Sequence, residues 1–219
     1  MTKDSQIPKW IIEDISDPFD VFPLEQALRD LGRLVEKNEH ELYSRYEDVA
    51  PKYRDIGLEL GLEAVSIIVG AGFVAAQSIL TRTYSNVRRL AELDVVQSAG
   101  GANMPKSKNA LYRIEAYDRD GVPDIIGINA LANYFKHSSE WPMDWSKLTK
   151  PSEIETAKTV IAMGILPGYE PNNIARGAAS LMFGGRDGLS RLATRVQEWR
   201  EAVEIEIRKR LHQANLLSQ

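Results

Sequence analysis

Leu62-Glu63-Ala64-Val65-Ser66-Ile67-Ile68-Val69-Gly70-Ala71-Gly72-Phe73-Val74-Ala75-Ala76-Gln77-Ser78-Ile79-Leu80 is the most apolar window of this chain, and its reading decides the fold. Glu63, Gly70, Gly72 and Gln77 interrupt it, and its apolar residues recur every three or four positions. That period describes one face of a buried helix better than a membrane span. The same rhythm extends outward through Leu62, Val65, Val69, Phe73, Ala76, Leu80, Val87 and Leu90, which predicts one long helix from about Tyr53 to Leu93. Gly57, Gly61, Gly70 and Gly72 are places where it can bend or admit a close neighbour.

Upstream, Leu24, Leu28, Leu31, Leu34 or Val35, and Leu42 predict a helix from about Leu24 to Asp48 that ends at Pro51. Residues 1–23 read as an apolar arm, because Pro8, Pro18 and Pro23 interrupt Trp10, Ile11, Ile12, Ile15, Phe19, Val21 and Phe22. Such an arm must dock on its own core or on another subunit.

Downstream, Gly100, Gly101, Asn103 and Pro105 mark a loop. Leu111 to Tyr117 reads as a short helix, with Asp118-Arg119-Asp120-Gly121 allowing a hairpin instead. Pro123 opens a helix that runs to about Ser138. Ser152 with Glu155 has the spacing of a capping box at the start of the next helix. Asn172 or Asn173 caps a short helix to Phe183. Leu189, Leu192, Val196, Trp199, Val203 and Ile207 then make the clearest amphipathic helix, from Asp187 to about Leu211. The expected fold is all-α, a multi-helix bundle over residues 24–219 with an irregular arm before it.

Composition narrows the function. The 219 residues carry a net charge of −4 and no cysteine, which excludes disulfides, thiolate metal sites and a cysteine nucleophile. No long apolar stretch follows Met1-Thr2-Lys3-Asp4-Ser5-Gln6, so a signal peptide is not expected and the cytoplasm is the expected location. Nucleic acid could be held only by a local basic patch: Arg82, Arg88 and Arg89 on the long helix, Lys106, Lys108 and Arg113 after it, or Arg208-Lys209-Arg210 near the C-terminus, each of which is otherwise a solvated face or a run of cations near a helix end. Gly100-Gly101-Ala102-Asn103-Met104-Pro105-Lys106-Ser107 approaches a phosphate loop, but Pro105 stands where a glycine N–H is needed.

Uncommon polar groups and aromatics concentrate in Asn129-Ala130-Leu131-Ala132-Asn133-Tyr134-Phe135-Lys136-His137, followed by Glu140-Trp141-Pro142 and Asp144-Trp145. On a helix Asn129, Asn133 and His137 share one side, opposite Ile125, Ile128, Leu131, Ala132 and Phe135. That polar stripe must face water or meet polar groups of another helix. Asn129, Glu140 and Trp141 are candidate ligand contacts. His137 with Glu140 is either the C-terminal cap of its helix or an acid–base group. No metal or cofactor is expected, since the other two histidines, His40 and His212, have no pairing signal.

The segment Asn129 to Trp145, in a small cysteine-free helical chain, resembles the HEPN superfamily of bacterial toxin–antitoxin and defence proteins. That resemblance implies metal-independent RNA cleavage, with His137 as the acid–base group, Lys136 stabilising the phosphorane charge and Asn133 orienting the imidazole or phosphate. The arginine that the family places a few residues before its histidine is replaced here by Ala130, Leu131 and Ala132, while Arg33 and His40 keep the spacing with Leu34 after the arginine. The other expectation is a helical binding or assembly protein, a homo-oligomer or the partner of another protein, joined through its arm and its C-terminal helix.

Overall fold

The computed structural model describes residues 7–46, 51–115, 118–119, 121–167, 174 and 188–217. Among them the chain forms eight α-helices: α1 (Lys9–Glu13), α2 (Phe22–Tyr46), α3 (Pro51–Ala91), α4 (Asp94–Ser98), α5 (Lys108–Tyr112), α6 (Asp124–His137), α7 (Pro151–Ala162) and α8 (Gly188–Gln213). The only strands among the described residues are the two-residue pair Asp118–Arg119 and Val122–Pro123, antiparallel, with Gly121 at φ +82° in its turn. The fold is all-α.

With 41 residues, α3 is about 60 Å long at 1.5 Å per residue, and it is the axis of the bundle. It packs on α2, α6 and α8; α2 also packs on α8, and α6 on α7. Val65, Val69, Phe73, Ala76, Leu80, Val87 and Leu90 all lie buried along it, at the spacing the sequence predicts. From Glu63 to Ala91 it is long and apolar enough to cross a bilayer, yet half of its most apolar stretch is buried against these neighbours, as in the core helix of a bundle. Gly70 explains how closely α6 approaches: a Cβ there would stand 2.1 Å from the Phe135 ring. A side chain at this position would push α6 outward.

Each proline of the arm starts a helix. Pro8 precedes α1, Pro18 opens a 3₁₀ turn (Pro18–Asp20) capped by Asp17, and Pro23 sits in the first turn of α2, where no N–H is required. The arm docks on its own core through Ile7, Ile11, Ile12, Ile15 and Val21. Arg200 of α8, completely buried, donates to the carbonyls of Ile15 (2.8 Å), Asp17 (2.9 Å) and Asp14 (3.2 Å) and to the Asp20 carboxylate (3.0 Å). Burial pushes its guanidinium pKa down, and Asp20 opposes that. A second buried pair, Arg195 with Asp124, ties α8 to the first turn of α6, and Arg195 also donates to the Glu115 carbonyl at 2.9 Å.

Three local expectations are corrected. The helix expected to reach Tyr117 stops at Tyr112, and the Asp-Gly signal makes the hairpin instead. Ser152 does not cap α7, because Pro151 takes the first helical position and places Ser152 inside the first turn. The segment Gln97 to Lys108 is not wholly loop but includes a 3₁₀ turn, Gly100–Asn103. The short helix expected from Asn172 to Phe183 lies outside the described residues, apart from residue 174.

Tyr112 packs edge-on against the buried Trp199, with ring centroids 5.6 Å apart. Burial pushes its phenol pKa up to about 12, and the Thr81 hydroxyl eases this only in part. The unfolded phenol ionises near 10, so stability from this group is intact below pH 10 and is lost as pH rises toward 12, by about 3 kcal/mol. Denaturant unfolding of wild type and Tyr112→Phe between pH 9 and 12 should show a shallower alkaline loss in the variant. Parallel curves would refute the assignment.

Candidate functional site

Part of the polar stripe of α6 is turned inward: Asn129 and Asn133 meet Gln77, the one buried amide of α3 among the described residues and 8% exposed, while His137 and Glu140 stay at the surface. Gln77 Nε2 donates to Asn129 Oδ1 (2.9 Å) and Asn133 Oδ1 (2.8 Å), with a longer contact to the Asn129 carbonyl, and Gln77 Oε1 accepts from Lys136 Nζ at 2.7 Å. Three residues singled out in the sequence are therefore brought together by a fourth that sits inside the core helix. The interruption of an apolar helical face by an amide was the signal for it. Burial lowers the Lys136 pKa, and repulsion from Lys108 lowers it further.

His137 stands apart from this network. Its Nδ1 lies 3.2 Å from Glu140 Oε1, and both side chains are at least half exposed. The pair spans the junction between α6 and the 3₁₀ turn Ser138–Glu140, where a cation complements the helix C-terminus. Trp141 belongs to an aromatic cluster with Tyr134 and Trp145, all three centroid distances falling between 5.2 and 5.7 Å, and its indole N–H is buried without a partner among the described residues.

The arginines do not converge on His137. Phe135 lies over Gly70 and Asn129 beside Gln77, so α6 runs antiparallel to α3 and carries His137 toward the N-terminal part of that helix. Arg82 comes twelve residues after Gly70, about 18 Å further along the axis. Arg82 instead pairs with Asp20 of the arm (3.0 Å), Arg88 pairs with Glu92 (2.8 Å), and Arg89 is exposed. Among the described residues, no three His, Asp or Glu side chains gather in a metal-binding group. No family model, no curated protein and no solved structure matches this chain.

Beside the Asn129 and Asn133 amides a cavity of about 170 Å³ opens between α5, α6 and α7. Lys108, Asn109, Tyr112, Ser152, Glu155, Thr156 and Thr159 complete its polar lining. Of the α5 and α7 members, Ser152 and Glu155 stood out in the sequence only as a capping box and Lys108 only as one of a basic run, because Lys, Glu and Thr on helix surfaces are ordinary there.

Gln77→Leu removes one amide and leaves two carboxamides and an ammonium without their partner, which should cost about 2–4 kcal/mol. His137→Ala breaks only an exposed pair and should cost less than about 1 kcal/mol. Chemical denaturation of both variants measures the difference; equal losses would contradict this division between core network and surface pair.

Proposed function

We propose that this chain is a binding or assembly protein that joins a second copy or another protein through its N-terminal arm. One observation carries the reading: the arm is held rigidly on the bundle by Arg200, yet it turns Trp10 (57% exposed), Phe19 (83%) and Phe22 (67%) outward. Aromatic side chains on a fixed support are the usual anchors of protein interfaces. Solvent exposure of three on one short segment is costly unless a partner covers them. The amphipathic stripe of α8 contributes less, since Leu189, Leu192, Val196, Trp199, Val203, Ile207 and Leu211 are all buried in the chain's own core and only Ile205 stands out.

A cytoplasmic, antitoxin-like or defence-assembly role, as the HEPN resemblance implies, fits the same proposal. The cleavage chemistry implied by that resemblance draws no support from the geometry. Asn133 and Lys136 are committed to Gln77, and the arginines lie far along α3 from His137.

Light scattering on the wild type across micromolar concentrations should show self-association. Phe19→Ser with Phe22→Ser should weaken it by at least about a hundredfold, at about 2 kcal/mol for each side chain removed from an interface, while circular dichroism keeps its helical signal. A wild type that is monomeric at every concentration and indistinguishable from the double variant would rule out a second copy as the occupant of the arm.

A further inference from the structure

The ammonium of Lys136 has only hydrogens to offer, so the Gln77 oxygen must face it. The Gln77 nitrogen must then face α6, and the oxygens of Asn129 and Asn133 must face that nitrogen. Both asparagine NH₂ groups are thereby turned away from the network. Both residues line the cavity between α5, α6 and α7, and neither NH₂ donates to any described residue. Lys108 lines the same cavity, makes no salt bridge with a described carboxylate, and rests over the Tyr84 ring at 5.6 Å. It is close enough to Lys136 for the two cations to repel.

The α7 wall has the opposite character. Thr156 donates its hydroxyl to the Ser152 carbonyl and Thr159 to the Glu155 carbonyl, so both offer acceptors only. Glu155, which accepts from Asn109, adds a carboxylate at the rim. One side of the cavity thus carries an excess of donors and positive charge, and the other carries acceptors.

We propose that this cavity binds a small oxyanion, a phosphate or carboxylate group, held by the Asn129 and Asn133 amide hydrogens and the Lys108 ammonium. An anion there gives both asparagine amides an acceptor in a partly buried place and neutralises the Lys108 ammonium. Glu155 disfavours a polyanion and suits a ligand with a hydroxyl or amine beyond its charged end.

The probes are inorganic phosphate and acetate, titrated separately at fixed ionic strength into isotopically labelled protein, with the asparagine side-chain NH₂ resonances as the readout. Saturable one-to-one shifts of Asn129 and Asn133 are expected, and the tighter of the two probes identifies the anion class. Asn133→Asp keeps the oxygen that Gln77 needs and exchanges the donor for a negative oxygen. Lys108→Gln changes an exposed side chain and leaves the fold intact. Each should weaken binding by about tenfold or more, and Glu155→Gln should strengthen it. Absence of saturation with both probes, or saturation indifferent to Lys108→Gln, would overturn the proposal.

Discussion

An ammonium group cannot accept a hydrogen bond, and that restriction on Lys136 organises the interface between the two helices at the centre of this molecule. Through Gln77 it fixes the orientation of three amides on two helices. Apolar contacts alone would let α6 slide along α3 by a turn at modest cost, since Leu, Ile and Val are interchangeable to a first approximation. The amide network admits one register, and Gly70 with Phe135 marks the same register sterically. The polar stripe and the close packing therefore say the same thing about where α6 must sit, which is the agreement between levels that a unique fold requires.

The arm is held on a different principle. Its backbone runs through short helical turns, and Arg200 supplies five fixed donors to the carbonyls where they meet, those of Asp14, Ile15 and Asp17, where a lysine would supply a movable point charge. Burying that charge is unfavourable by itself, and Asp20, which also meets Arg82, offsets it. The result is a short irregular segment tied to the core helix α8 through Asp14, Ile15, Asp17 and Asp20. Rigidity matters for the proposed role, because an anchor already fixed in place loses little freedom when a partner arrives.

Helix positions were legible in the sequence wherever apolar residues repeated over several turns. α2, α3, α6 and α8 fall within a few residues of their expected limits for that reason. Leu111 to Tyr117 was misread because two turns of apolar spacing fit a helix, and only the Asp-Gly turn distinguishes the hairpin that begins at Asp118. Ser152 misled because a capping box is a pattern of two residues, and with Lys150 as the N-cap and Pro151 first in the helix it stands two positions too late. At the candidate site, the stripe Asn129, Asn133 and His137 was visible as a concentration of polar groups on one helix, but the network takes in Lys136 and leaves His137 at the surface. Its partner was not, since nothing local to Gln77 says which helix it faces. Arg200 and Arg195 were invisible for the same reason: their acceptors lie at Ile15 and at Asp124, and sequence periodicity carries no information about contacts between distant segments.

The clamp on the arm also sets an order of events during synthesis. Asp14 and Arg200 are 186 residues apart. At about 5–20 residues per second, the acceptors of the arm leave the ribosome roughly 10 to 40 s before their donor does. Throughout that interval the Ile15 carbonyl has only water, those of Asp14 and Asp17 have only their nearer donors, Asn86 and the Asp20 N–H, and the isoleucines of the arm have no finished core to enter. A nascent chain in that condition is a substrate for chaperones, and closing so long a loop, which the packing of α2 on α8 also requires, is among the slower steps in folding such a bundle.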